Sequence, residues 1–346
     1  KQLSGVKVVD DSTIQITIDA PKVYFLAKLT YPTAFVLDKA NVESGRNWTD
    51  RPNGSGPFKL KEWKRGERIT LARNDNYYRG VPKLQEVRFL LSGGSSMTMY
   101  ENNEVDVTPV GLTDIDRVLD PSNPLNKELK TTVRLGLFYV GFNYTMPPFD
   151  DVNVRQAFNY ATDKDRLVSV VLKNIGKVVN GIIPPGMPGY NENVKGYSLD
   201  PAKAKEALAK SKYKNASGLP LITFSTVGGG GAPSPIATAL QEMWKQNLGV
   251  TVDIQQVEWA TYLGDLKARK FQMYGGTSGW IADYPDPEDF HDVLFHSKSL
   301  DNNFAYSNPQ VDALLEKARV DHLFHVIPQH LPVDMIVEED RLVGLV

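Results

Sequence analysis

LPLITFSTVGGGGAPSPIATALQEMWKQNLGVTVDIQQV, residues 219–257, is the stretch on which the fold turns. It opens on an apolar run, 219–227, passes through four glycines and a Ser-Pro pair, and enters a segment with a different period. There Ile236, Leu240, Met243, Trp244 and Leu248 recur at helical spacing. Side chains three and four positions apart share one helix face, so 236–248 is expected to be a helix buried on that face. Gly249 supplies its stop, since glycine takes up left-handed backbone at little steric cost. VTVDIQQV, 250–257, returns to strand character, ATYLGDLKARK, 260–270, to helix, and FQMYGGTSGW, 271–280, to strand. Strands alternating with helices argue for a parallel-type α/β sheet.

Upstream of this stretch, Asp200-Pro201 reads as an N-cap followed by proline at the first helical position, opening a helix to about Ser211. VRQAFNYATDKDRLVSVVLK, 154–173, reads as an amphipathic helix or helix pair split near Asp163. LGLFYVGFNY, 135–144, is a near-continuous apolar run that suits a buried strand. PPFDD then breaks the chain, and a domain boundary is expected at about 144–152. Residues 6–18 alternate through Val6, Val8, Ile14, Ile16 and Ile18 around Asp10-Asp11-Ser12, a hairpin pattern. A helix-like piece follows Pro21, and two strands flank Arg65-Gly66-Glu67. VRFLL, 87–91, is a further strand, Ser92 is expected to open a helix, and Val105–Val107 reads as a short strand. NPQVDALLEKARVD is a helix, and the segment from Asp321 onward reads as scraps of helix joined to a strand. Lys1 stands in mid-element, so a front portion is expected to precede it.

The 346 residues are 41% hydrophobic and 23% charged, with net charge −2. Length suggests about two domains. Balanced charge favours neither nucleic acid nor an anionic membrane as partner. No run approaches the ~18 apolar residues of a membrane span. The absence of cysteine excludes thiol nucleophiles, thiolate metal sites and disulfides within this sequence.

GWIADYPDPEDF, 279–290, concentrates aromatic and acidic side chains where the chain leaves a strand. A hydrolytic pair could use Asp283 with Asp286 or Glu288. A calcium loop would need a central glycine and a terminal Glu that are missing here. A solvated turn is the plain alternative, and a pocket for a cationic ligand end is the fourth. Gly228–Gly231 lacks the spacing of phosphate-binding glycine loops, because Pro233 stands where a third glycine belongs. Gly229 and Gly230 are instead expected in a loop at a strand's carboxyl end, where such loops line ligand crevices. His291, His296, His322, His325 and His330 form no zinc motif, and no metal or cofactor site is expected. Trp244 belongs to its helix's core face. Trp259 and Trp280 each fall at a strand end, beside Tyr262 and Tyr284. Two aromatic edges beside one carboxylate suit a ligand with a cationic end and variable side groups.

GSGPFKLKEWKRGERITLARNDNYYRG, PPFDDVNVRQAFNYATDKDRL, VEWATYLGDLK, GWIADYPDPEDF and YSNPQVDALLEKAR occur in this order. Together they resemble the extracytoplasmic solute-binding proteins of peptide ABC transporters, bacterial extracellular solute-binding protein family 5. The resemblance runs through nearly all of residues 5–320. It implies a two-lobed periplasmic-binding-protein-like fold that closes on ligand like a flytrap, of the large type with an extra small domain, here lacking its N-terminal part. Residues 1–55 would finish the small domain, 56–143 would belong to lobe I with the tail 329–346 returning to it, and 144–328 would form lobe II. It further implies a non-catalytic, monomeric, extracytoplasmic protein, periplasmic or lipid-anchored at the cell surface, with an oligopeptide ligand and membrane permease subunits as partners. Asp283 matches the residue that pairs with the peptide α-ammonium, Trp280 precedes it in the same motif, Trp259 matches the groove-lining tryptophan, and Tyr284 is a candidate helper. Tyr274–Gly279 is glycine-rich and offers no arginine for a peptide C-terminus. Relatives of this fold also carry oligosaccharides, nickel or haem.

Overall fold

The computed structural model describes residues 3–19, 22, 24–45, 47–321 and 343–345. The chain divides into two compact units, one of residues 1–28 with 131–346 and one of residues 29–130. The strands in chain order are β1 (Val6–Asp10), β2 (Thr13–Ile16), β3 (Phe58–Lys64), β4 (Arg68–Arg73), β5 (Glu86–Leu90), β6 (Gly136–Phe142), β7 (Thr223–Val227), β8 (Asp253–Val257), β9 (Met273–Ile281) and β10 (Val343–Leu345).

The first unit is built on a five-stranded sheet in the order β10-β6-β9-β7-β8. β7 runs parallel to both β8 and β9, while β6 pairs antiparallel with β9 and β10 antiparallel with β6. The sheet is therefore mixed, where the alternating rhythm alone suggested parallel strands. The reason is connectivity. Parallel neighbours require a crossover, and the helices Pro235–Leu248 and Trp259–Lys267 supply the crossovers from β7 to β8 and from β8 to β9. β6 has no such link to β9, and it runs against it.

Both sheet faces are covered, which explains why β6 reads as an almost unbroken apolar run. Val140 and Phe142 join one core with Phe158, Phe224, Leu240 and Trp244. Leu137 and Tyr139 join the other with Tyr262, Phe290, Phe304 and Leu315. The helix Pro235–Leu248 has the expected ends: Ser234 Oγ accepts the Ala237 N–H at 3.2 Å, and Gly249 closes it at φ +75°. Its buried Trp244 lies against Phe158 and Phe224 and donates its indole N–H to Thr162 Oγ1 at 3.0 Å. The expected break near Asp163 is present, with Asp163 capping Lys164–Arg166 after the helix Val152–Tyr160 has ended. The β1–β2 hairpin pairs Val6 with Ile16 and Val8 with Ile14.

The second unit holds the antiparallel sheet β3-β4-β5, turned at Gly66 with φ +75°. Its helix starts at Ser96 under a Ser95 cap rather than at Ser92, because Gly93 takes φ +153° and cannot be helical. Val105–Val107 carries no strand. Of the tail 329–346 only Val343–Leu345 is described; Pro21, His322, His325 and His330 lie outside the described residues.

Candidate functional site

β7, β8 and β9 are parallel, so their carboxyl ends reach one sheet edge, where open α/β sheets place their ligand crevices. β7 feeds the Gly228–Gly231 loop, β8 feeds Glu258-Trp259, and β9 feeds the loop that starts at Ala282. Topology thus brings Gly229, Gly230, Trp259, Trp280 and Asp283 to the same edge.

The glycine loop is held at its ends and open in the middle. Gly228 donates its N–H to Val257 O at 3.0 Å, and Gln256 reaches from β8 to donate an amide N–H to Gly231 O. A Cβ on Gly228 would lie 2.0 Å from the Gln256 side-chain oxygen, whereas a Cβ on Gly229 would meet nothing within 4 Å. Gly230 adopts φ +86°, a backbone that favours glycine.

Trp259 is the first residue of its helix, behind a Glu258 cap, and is 51% exposed. Its ring lies parallel to that of buried Tyr262, with centroids 6.2 Å apart. The Tyr262 hydroxyl is 3.2 Å from that of Ser278 on β9. The helix start therefore presents one face of an indole to solvent on a rigid support.

β9 reaches the edge through a distortion. Phe138 pairs with Gly279 but Val140 with Gly275, so two positions of β6 face four of β9. The extra residues form a bulge next to the site, a common place for one. Gly275 and Gly276 take φ +102° and +73°, and a Cβ on Gly275 would lie 2.2 Å from Tyr139 O. A Cβ on Gly279 would lie 1.9 Å from Leu137 O. Gly275 and Gly279 are thus required by backbone approach, and Gly276 by its left-handed backbone. Beyond the bulge Trp280 pairs with Leu137 and is half-buried.

The following loop has an exposed outside and a polar inside. Asp283 is exposed, and among the described residues its carboxylate has no partner. Asp289, 1% exposed, lies beneath it. One Asp289 oxygen, Oδ2, accepts both the Asp283 backbone N–H at 2.8 Å and the Trp280 indole N–H at 3.3 Å. Burial pushes the Asp289 carboxyl up to about 6; the two hydrogen bonds oppose the shift, and the charges of Asp283 and Glu288 add to it.

Tyr284 faces inward. Its ring stacks on Tyr24 at 5.5 Å, and its hydroxyl donates to buried Glu288. Lys28 completes this cluster, with Nζ 3.3 Å from Glu288 Oε2 and 4.5 Å and 4.7 Å from the ring centres of Tyr284 and Tyr24. Burial, then the Glu288 charge, raises the Tyr284 hydroxyl well above its ordinary value. Asp286 accepts the Glu288 N–H at 2.9 Å within the turn. Tyr24, Lys28 and the inward role of Asp289 have no signal in the sequence: Lys28 is far away in the chain, and nothing in EDF marks one acid as buried. Among the described residues no group of three or more His, Asp or Glu could hold a metal ion.

The family model of bacterial extracellular solute-binding proteins, family 5 Middle, matches residues 1–302, a range that includes every residue of this edge. The chain belongs to that family. Among its relatives in the family, dipeptide-binding protein DppE of Bacillus subtilis is 30% identical over 98% of this chain and 63% of that protein. Heme-binding protein A of Haemophilus influenzae is 29% identical over 91% of this chain and 59% of its own length. The solved Escherichia coli murein tripeptide binding protein MppA superposes with TM-score 0.84 at 26% identity, over 99% of this chain and 68% of that one. The chain therefore spans about three fifths of the curated family members it matches. Its fold is the two-lobed α/β fold of these binding proteins, present in part. Among the described residues no helix is long and apolar enough to cross a membrane.

Proposed function

We propose that this chain is the ligand-gripping part of a protein that captures oligopeptides outside the cytoplasm and delivers them, unaltered, to an ABC transporter permease. The observation that carries the proposal is the exposed Asp283 carboxylate on a braced loop, at the same sheet edge as the half-exposed Trp259 and the open Gly229-Gly230 loop. Asp283 pairs with the peptide α-ammonium. Trp259 and Trp280 offer apolar surface to side groups of many kinds, and ordered water completes the polar contacts. The names of DppE and MppA, a dipeptide and a murein tripeptide binder, support this ligand class.

Hydrolysis by Asp283 with Asp286 or Glu288 finds less support. Glu288 is turned into the interior and committed to Lys28 and Tyr284, and Asp286 is used in the turn. We further propose that the protein works as a monomer, in the periplasm or held at the cell surface by a lipid anchor. A second reading, a haem or sugar ligand, is favoured by the exposed Trp259 ring and by the Haemophilus relative.

The test is titration of alanine tri-, tetra- and pentapeptides by calorimetry. Asp283→Asn should weaken binding by about 2 kcal/mol or more, as for truncation of one partner of a desolvated charge pair. N-acetylated peptides should bind weakly to both proteins. Equal affinity of wild type and variant for the free-amine peptides would remove Asp283 as the anchor.

A further inference from the structure

Two carboxylates serve the proposed anchor, and only one of them faces solvent. We propose that Asp289 is the positioning residue of the site: through a single oxygen it fixes the main chain of Asp283 and the indole of Trp280, and so sets where the anchor carboxylate and the aromatic wall stand. The proposal rests on Asp283 being the ammonium anchor.

The geometry is specific. Asp289 Oδ2 receives the Asp283 N–H at 2.8 Å and the Trp280 Nε1–H at 3.3 Å, so one atom ties the end of β9 to the loop beyond it. Asp289 lies in the first turn of the helix Glu288–Phe295, next to Phe290, which is fully buried in the core. The brace is therefore anchored to a packed element, while the groups it holds lie at the edge. Without it, the Asp283 amide would have to find water and the indole could turn about its own side-chain bonds. A carboxylate accepts such bonds more strongly than a neutral carboxyl, so the brace is tightest when Asp289 is ionised.

Protonation of Asp289 should therefore loosen the loop. The charges that act on it are those of Asp283 and Glu288 on its own segment; Glu288 pairs in turn with Lys28 of the helix Phe25–Lys28, and Arg319 of the helix Pro309–Asp321 pairs with Asp292 at 2.5 Å. With the carboxyl pushed up to about 6, this change falls within an accessible range. A ligand ammonium on Asp283 would favour the ionised form of Asp289, and by linkage ionised Asp289 favours the ligand.

The experiment measures peptide affinity from pH 4.5 to 7.5 for wild type, Asp289→Asn, Asp289→Ala and Asp283→Asn, using the same alanine peptides. Tryptophan fluorescence of each unliganded protein is followed over the same range, and thermal unfolding checks that each variant is folded. Wild-type affinity should rise severalfold through pH 6, with a fluorescence step at the same midpoint. Asp289→Asn keeps an acceptor oxygen but no titration: across the whole range it should bind about as wild type does below pH 6, and lose both steps. Asp289→Ala should lose about tenfold in affinity, the size expected for one or two unmade hydrogen bonds. If Asp289→Ala binds like wild type with the same pH profile, or if the fluorescence step survives in Asp289→Asn, Asp289 is not the positioning residue. If Asp283→Asn alone leaves affinity intact, the anchor reading fails, and the fluorescence step still reports whether Asp289 holds Trp280.

Discussion

Asp283 and Asp289 carry the same functional group six positions apart, yet one is exposed and the other is 1% exposed. That difference sets their chemistry. Asp283 is free to meet a cation. Asp289 is raised to about 6, mainly by desolvation. The consequence for stability has a definite sign. The folded-state pKa lies above the ordinary 3.8, so the folded chain binds this proton more readily than the unfolded chain. The stabilising contribution is complete below about pH 4 and is lost as pH rises through about 6. Asp289→Asn should therefore gain thermal stability relative to wild type between pH 4 and 7, as seen in paired melting curves. A gap that narrows with rising pH would contradict this. The sequence made Trp280, Asp283 and Tyr284 conspicuous, but it could not show on which side of the loop each would fall. The inward turn of Tyr284 comes from Tyr24 and Lys28, partners that lie far off in the chain.

At the scale of elements, most of the first unit was legible. The helix Pro235–Leu248 announced itself by its apolar spacing, its Ser-Pro start and its Gly249 stop, and each of these is a local signal. The strand order was not legible, because an apolar run such as 135–144 says that a strand is buried on both faces but not which neighbour it takes. The run Tyr274–Gly279 also showed its composition without its cause. A glycine-rich run does not say why glycine stands at each place, whereas in the fold Gly275 and Gly279 are tightly apposed to the backbone of β6. The two glycine clusters should thus respond in opposite ways. Gly275→Ala should cost about 2 kcal/mol or more, through a forced backbone shift and an unfavourable φ. Gly229→Ala has open space and should stay within about 0.5 kcal/mol of wild type. Urea unfolding of the two variants measures both, and equal stabilities would mean that the bulge is not strained by a side chain.

At the scale of the molecule, the chain has two compact units, and the carboxyl edge belongs to the one formed by residues 1–28 and 131–346. Within that unit the N-terminal segment and the site loop meet, as Lys28 pairs with Glu288 and Tyr24 stacks on Tyr284. The support of the candidate site thus joins segments some 260 positions apart in the sequence, Tyr24–Lys28 and Tyr284–Glu288, which is why a reading of local motifs located the edge but not its underpinning. If this edge grips peptides by their free amino end and leaves them intact, the purified protein should carry them. The purified chain should be denatured, its ligand extracted, and the extract analysed by mass spectrometry before and after amine-specific labelling. A mixture of intact short peptides with free amino termini is expected. A single haem, sugar or metal complex in their place would contradict it.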